Sequence, residues 1–293
     1  MKIILLHNVD AGGGGHPPKE QIVRHLEEAG HEVVYQSTRE KGAKWTLLEE
    51  ADVVIAAGGD GTVRKAALGV AGRDVPLAIL PLGTANNLAK IFGGFAPDSE
   101  QFSTLSEARR IHLDVAMASS PWGKSPFIES AGAGLLAQLM FDLSRAGLKK
   151  APTVKEAQTE LRKLVETCPA RSCHLTIDGQ SFSEKLLLVE AMNTCTVGPN
   201  LKLAPDADPG DGCLDFVFLK ETARKAFAEY LTNPKHKEAP VEAVRGKSLS
   251  FEFEGPAHAD DLTWPSESAD LDSPETKTLE VHLPGKPIEL LIP

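Results

Sequence analysis

The stretch VVIAAGGDGT, from Val53 to Thr62, decides how the first half of this chain folds. An apolar run passes straight into three glycines set around one aspartate, and the residues that follow, Val63 to Val70, carry apolar side chains at helical spacing. A strand that turns through glycine into a helix aims free backbone N–H groups and the positive end of that helix at one spot beyond the strand's C-terminal edge. Phosphate suits such a spot. A plain tight turn, with Asp60 as a helix cap or turn residue, accounts for the same residues.

Working outward, the first third of the chain repeats a βα rhythm. Ile3 to His7, His31 to Gln36, Val53 to Ala57 and Val75 to Leu80 read as strands. Lys19 to Ala29, Lys44 to Glu50, Val63 to Val70 and a segment opening near Thr84 and running to Phe92 read as helices, with Gly30 ending the first of them. Short apolar strands alternating with helices predict a parallel, doubly wound sheet in an α/β domain. Beyond about Leu113 the pattern changes. Helices are predicted over Leu135 to Leu148, Val154 to Glu166 and Ala223 to Leu231. Strands are predicted over Cys173 to Ile177, Leu186 to Met192, Leu214 to Leu219, Leu249 to Phe253, Thr278 to Leu283 and Ile288 to Ile292. The turns Asp178-Gly179, Asp211-Gly212 and Pro284-Gly285 separate them, so a mainly antiparallel β-sandwich domain with inserted helices is expected. The expected boundaries are 1–113 and 114–293, with the last residues packing back on the first domain. The acidic segment Pro265 to Glu275 reads as a surface loop or disordered insertion.

The 293 residues carry 31 basic and 41 acidic side chains, a net charge of -10, which excludes a bulk basic footprint for nucleic acid. No apolar run is long enough to cross a bilayer, and Met1 to Leu6 is too short for a signal peptide, so a cytoplasmic protein is expected, at most peripheral to a membrane. The four cysteines fit reduced thiols better than a disulfide framework or a metal centre. The basic run at Lys149, Lys150, Lys155, Arg162 and Lys163 reads either as a solvated helix face or as a docking face for lipid. Nothing in the sequence speaks to oligomeric state.

Two more strand-to-helix junctions join the first. Pro81-Leu82-Gly83-Thr84-Ala85-Asn86-Asn87 follows the fourth strand directly, so its turn and that of Gly58 to Thr62 are expected to open on one crevice. Asn8-Val9-Asp10-Ala11 followed by Gly12 to Gly15 ends the first strand. Three such loops on one edge point to a nucleotide, although neither a P-loop sequence nor a Gly-x-Gly-x-x-Gly fingerprint is present.

GGDGT (Gly58 to Thr62) followed by PLGTANNLAK (Pro81 to Lys90) resembles the diacylglycerol kinase catalytic domain family, which includes bacterial lipid kinases and sphingosine kinases. The first element alone is shared with NAD kinases; the second is far more specific. The resemblance implies an ATP-binding α/β domain, a β-sandwich-like domain, a cleft between them, and Mg²⁺-dependent transfer of the γ-phosphoryl group to the hydroxyl of a lipid alcohol. It implies that Asn8, Gly58, Gly59, Gly61, Thr62, Gly83, Thr84 and Asn86 frame the nucleotide, and that Asp60 faces the metal and phosphates. Asp114 in HLDVAMA resembles an acidic residue at the domain junction, and Asp211 in the segment Ala204 to Leu219 resembles the ligand of a structural Mg²⁺.

Departures from the family pattern carry as much information. The first loop has Val9 and Ala11 where proline and serine are usual, and Asn87 stands for an aspartate. The motif Gly132-Ala133-Gly134-Leu135-Leu136-Ala137 places Leu136 where an acid is usual. The Asp-Gly-Glu that supplies the general base corresponds to Asp260-Asp261-Leu262, so Asp261 is the catalytic candidate beside Asp60 if the backbone shifts by a residue, a shift that would also bring Asp260 or Glu267 nearby. Two readings follow: a lipid kinase acting on a diacylglycerol or sphingoid-like alcohol, or a weakened or inactive relative that binds nucleotide or lipid. A kinase of NAD is a third, disfavoured by Pro81 to Asn87.

Overall fold

The computed structural model describes residues 1–14, 16–40, 49–146, 152–265 and 276–293. Most of the expected helix at Lys44 to Glu50, together with Gly15, Lys149, Lys150, Glu267 and the rest of the acidic loop, lies outside them. The chain forms two compact units, Met1–Val115 with Gly285–Pro293, and Ala116–Pro284.

The first unit is built on β1 (Lys2–His7), β2 (Glu32–Ser37), β3 (Val53–Gly58), β4 (Leu77–Pro81) and β5 (Arg109–Leu113). Its helices are α1 (Lys19–Glu28), α2 (Asp60–Val70), α3 (Asn87–Phe92) and α4 (Ser99–Ser103). The sheet runs β2-β1-β3-β4, all parallel, and continues through a strand from the far end of the chain, Ile288–Ile292, to antiparallel β5. Ile3 to Leu6 are fully buried, as expected of a parallel strand covered on both faces. Leu5, Ile55 and Leu80 join Ile22 and Leu26 of α1 in one core.

Two boundaries differ from the sequence reading, for local reasons. Helix α2 opens at Asp60, a full turn before the first apolar residue of its periodic face. Helix α3 opens at Asn87, not near Thr84, because Asn86 is left-handed (φ 49°) and its side chain turns back onto Gly83. Strand β5 escaped the sequence pattern: Arg109 and Arg110 begin it on an exposed edge.

The second unit holds β6 (Ala116–Ser120), β7 (Gly123–Phe127), β8 (Ser130–Gly134), β9 (Arg171–Ile177), β10 (Gln180–Met192), β11 (Thr196–Val197) and β12 (Leu201–Lys202). It continues with β13 (Leu214–Lys220), β14 (Glu242–Gly246), β15 (Ser248–Phe253), β16 (Ala257–Ala259), β17 (Leu262–Trp264) and β18 (Lys277–His282); the Ile288–Ile292 strand is β19. Its helices are α5 (Leu135–Arg145), α6 (Val154–Thr167) and α7 (Arg224–Tyr230). The 13-residue β10 organises this unit. Its first half forms a hairpin with β9, and its second half pairs with β8 on one side and β13 on the other. Antiparallel pairing prevails throughout, and one large core gathers Leu175, Phe216, Phe251, Trp264 and Val281. A second core sets α5, α6 and α7 against the other face of β10 and β13.

Candidate functional site

In the first unit, the ends of β1, β3 and β4 bring all three glycine loops into contact. The contacts are backbone on backbone, and they explain the glycines. A Cβ on Gly83 would lie 2.3 Å from Gly59 Cα and 2.7 Å from Asn86 Oδ1, so the two loops leave no room for a side chain at Gly83. Gly12, at φ +59°, sits against the other end of the same turn, where a Cβ would meet the Leu82 carbonyl oxygen at 2.4 Å. The Leu82 N–H donates to the Gly58 carbonyl (2.9 Å), and the Asn8 N–H to that of Ala57 (2.9 Å).

Asp60 sits at the centre of this arrangement. As the first residue of α2 it leaves its own N–H and that of Gly61 without an acceptor one turn back. Its Oδ1 accepts the N–H of Leu88 at 3.0 Å, which makes it the cap of α3, the helix after the neighbouring loop. Its Oδ2 makes no hydrogen bond to the described residues. One oxygen of Asp60 therefore serves as a cap, and the other is not engaged by the described residues.

Asn86 is shaped in the same double manner. Its Oδ1 accepts the Gly83 N–H (3.0 Å) while its Nδ2 donates to the Gly83 carbonyl (2.8 Å), so the side chain braces the turn. Thr84 is exposed at the tip, Gly61 is exposed and Thr62 is buried. Asn8 Oδ1 accepts the Asp10 N–H at 3.1 Å, and Arg39 holds Asp10 from β2's end through Nε (2.6 Å) and Nη2. Beneath the first loop His7 is buried with Nδ1 3.3 Å from the Tyr35 hydroxyl; burial, and then His16, keep its pKa below the ordinary value. No spacing in the sequence singled out His7. Asp114 is buried at the end of β5.

The second unit holds the remaining candidates. Asp260 and Asp261 form the two-residue turn between β16 and β17, where Ala259 pairs with Leu262. Asp260 is left-handed (φ 49°), and its carboxylate accepts the N–H groups of Ile128 (3.0 Å), Glu129 (2.9 Å) and Ser130 (3.2 Å). That leaves Asp261, which is exposed, as the acid of this turn presented to solvent. Leu262 is 38% exposed, a large apolar side chain at the position where a glutamate was expected. Leu136 is buried in the core beside α6, so its departure from an acid suits packing.

Asp211 is engaged. Its Oδ1 accepts the Cys213 N–H at 2.9 Å, closing the Asp-Gly turn, and its Oδ2 holds the Arg245 guanidinium. A cation at Asp211 has to displace that guanidinium. Asp215 nearby is buried, and burial raises its pKa, with Arg245 opposing and Asp211 and Asp206 reinforcing the rise. Among the described residues no three His, Cys, Asp or Glu side chains converge on one metal position. Lys155 and Lys163 lie on α6 among Glu156 and Glu160, with Lys163 paired to Glu160 (2.8 Å), as on a solvated face. No helix among the described residues is long and apolar enough to cross a membrane.

A mixed α/β sheet with three glycine loops along one edge, followed by an antiparallel β-rich unit, is the architecture of diacylglycerol kinase-like folds. Residues 2–118 match the family model "Diacylglycerol kinase catalytic domain", and residues 144–265 match "YegS C-terminal NAD kinase beta sandwich-like domain". The chain belongs to the diacylglycerol kinase catalytic domain family, a family of lipid kinases. It is 29% identical over 223 residues to the diacylglycerol kinase of Bacillus subtilis (strain 168), covering 72% of this chain and 71% of that one. It is 26% identical over 252 residues to a Klebsiella pneumoniae (strain 342) protein named "Probable lipid kinase YegS-like", covering 83% and 82%. A solved diacylglycerol kinase structure from Bacillus anthracis str. Sterne superposes with a TM-score of 0.66 at 20% identity, over 100% of this chain and 97% of that chain.

Proposed function

We propose that this chain is an ATP- and Mg²⁺-dependent lipid kinase that phosphorylates the hydroxyl of a lipid alcohol of the diacylglycerol or sphingoid type. The observation that carries the reading is the contact of three loops through Gly12, Gly59 and Gly83, which leaves the N–H groups of Asp60 and Gly61 at the start of α2. Backbone donors at that helix end, with Asn8, Gly58, Thr62, Thr84 and Asn86 around them, suit the phosphates of a nucleotide.

A hard cation matches the donor set, since Mg²⁺ binds through one or two carboxylates and takes its other ligands from phosphate and water. Asp60 would hold it through Oδ2. Asp114, a further metal candidate from the sequence, follows β5 at the opposite edge of the sheet from the glycine loops, because β5 runs antiparallel to β19 and Leu113 pairs with Ile288, so it supplies no ligand to this cation. A separate structural cation at Asp211 would require Arg245 to give way. The cation supplies charge neutralisation for the phosphates. Transfer forms a bond from the acceptor oxygen to the γ-phosphorus, breaks that phosphorus's bond to the bridging oxygen of ADP, and passes the hydroxyl proton to Asp261. The lipid is met at a membrane surface, from the cytoplasmic side.

The second reading, a relative that binds nucleotide or lipid without turnover, is favoured by Leu262, which is exposed and cannot take a proton. Labelled ATP incubated with a panel of lipid alcohols separates the two. Labelled lipid supports the kinase; bound ATP with no product from any lipid supports the silent relative; label appearing on NAD instead would overturn both.

A further inference from the structure

One buried charged group in the second unit has no part in the reading above. In the antiparallel order β10-β8-β16, Glu190, Gly132 and His258 stand in one cross-strand row. Residues in such a row share a face of the sheet. Gly132 has no side chain, and a Cβ there would lie 2.6 Å from Glu190 Cδ and 2.7 Å from its Oε2. The Glu190 carboxylate thus occupies the space above Gly132 and crosses β8 to reach His258. Both of its oxygens lie 3.0 Å from His258 Nε2, with both side chains at most 2% exposed.

A carboxylate enclosed in a sheet is expensive to desolvate, and such pairs seldom add net stability over well-packed apolar side chains. What the pair holds is therefore informative. The other ring nitrogen, Nδ1, lies 3.2 Å from the carbonyl oxygen of Asp260, the first residue of the β16–β17 turn. The same residue is fixed from its other side: its N–H donates to the Ser130 carbonyl (2.8 Å) and its carboxylate takes the three amides of Ile128 to Ser130. The turn that presents Asp261 is gripped at its amide, carboxylate and carbonyl.

We infer that His258, held by Glu190 through the opening at Gly132, is a positioning residue that fixes the Asp260 carbonyl and so sets the direction in which Asp261 meets the acceptor hydroxyl. This rests on the kinase reading for Asp261, but the clamp itself does not. For both ring nitrogens to donate, the imidazole is protonated. Burial works against that charge; the Glu190 charge and hydrogen bond, then the Asp260 carbonyl and charge, outweigh it and raise the pKa. Glu190 from β10 and Asp260 from its own turn are the charged groups acting on His258, while β8 offers Gly132 and β17 offers Thr263 beside it.

The experiment compares the wild-type chain with Glu190→Gln and His258→Gln. Glu190→Gln keeps the size and a hydrogen bond but removes the charge. Nitrogen-15 NMR of the imidazoles reads the His258 protonation directly, without any need for activity. Both ring nitrogens protonated near neutral pH in the wild type, and a neutral ring in Glu190→Gln, are expected. Amide exchange at Asp260 to Leu262 should accelerate in both variants, whereas exchange in β1 and β3 should not. With a lipid substrate, kcat should fall on the order of tenfold or more, as for a displaced catalytic group, with KM for ATP unchanged. The alkaline limb of the pH profile should move to lower pH in Glu190→Gln. A neutral His258 in the wild type, or variants with unchanged turn exchange, would overturn the inference even if no lipid is phosphorylated. Normal clamping in an inactive wild type would instead remove the kinase reading and leave the clamp standing. An active wild type whose variants keep kcat and pH profile would refute the positioning role.

Discussion

Asp60 caps α3, the proposed function gives the same carboxylate a cation to hold, and two substitutions separate the two roles. Its Oδ1 accepts the Leu88 N–H at 3.0 Å from a half-buried position. Replacing Asp60 by Ala removes a helix cap and should cost about 1–2 kcal/mol, within the usual span for lost caps and for hydrogen bonds to a charged acceptor. For a unit of this size that is a fall of roughly 3–8 °C in melting temperature. Asp60→Asn keeps an acceptor oxygen for Leu88 and removes the charge that would face the cation, so its stability should change by less than about 0.5 kcal/mol. Both variants should lose phosphoryl transfer, because an amide is a poor ligand for Mg²⁺ beside phosphate. Thermal unfolding by circular dichroism and a radiolabelled lipid assay on the same preparations supply the two readouts. Equal thermal losses in the two variants would refute the capping role, and retained transfer in Asp60→Asn would refute the metal role.

Gly83→Ala should force the second and third loops apart, since its Cβ would meet Gly59 Cα at 2.3 Å. A loss of about 1–3 kcal/mol, typical of overpacking, with a reduced thermal shift on adding ATP is expected; an unchanged ATP shift counts against the loop contact as the nucleotide cradle. Cys173 is buried, and burial, then Glu254 and Glu252, push its thiol up to about 11, so it should resist iodoacetamide in the folded chain and react once denatured. Mass spectrometry after alkylation reads this, and fast native labelling of Cys173 would contradict its placement. His258 has a folded pKa raised above its ordinary 6.5, so its contribution to stability is fully present below that value and lost as pH rises through the raised one. The gap in denaturant midpoint between wild type and His258→Gln should therefore narrow as pH rises above the ordinary value of 6.5, and a widening gap would reverse the assignment.

The first unit was legible because its signals are local. A buried parallel strand is a continuous apolar run, and a glycine turn into a helix is written in neighbouring residues, so β1, β3, β4 and their loops stand out. The meeting of the loops also followed from strand order. What the residues could not reveal was that Gly59 and Gly83 touch each other, or that Asp60 caps α3 from the neighbouring loop, 28 residues away. Strands β6, β7 and β8 escaped because they are rich in Ala, Ser and Gly, and are held by pairing across the sheet and not by propensity. Glu190 and His258 are 68 residues apart, and only the register through Gly132 joins them. No periodicity carries such a contact.

The register of the β16–β17 turn narrows the choice of base. Read as sequence, Asp260-Asp261-Leu262 puts Asp261 in the place of the missing glutamate only through a one-residue slip, which would carry Asp260 into the place of Asp261. The fold opposes the slip. Asp260 is left-handed, and three amides point into its carboxylate, so moving it outward would strand three partly buried N–H groups at a cost of about 1–3 kcal/mol each. Ala259 and Leu262 close the hairpin on either side, and Trp264 is anchored in the core two residues on. A slip would also turn Trp264 from the core face to the solvent face. Asp260 is therefore spent on structure, Leu262 cannot take a proton, and any general base this turn supplies is Asp261, acting from one residue before the place of the missing glutamate.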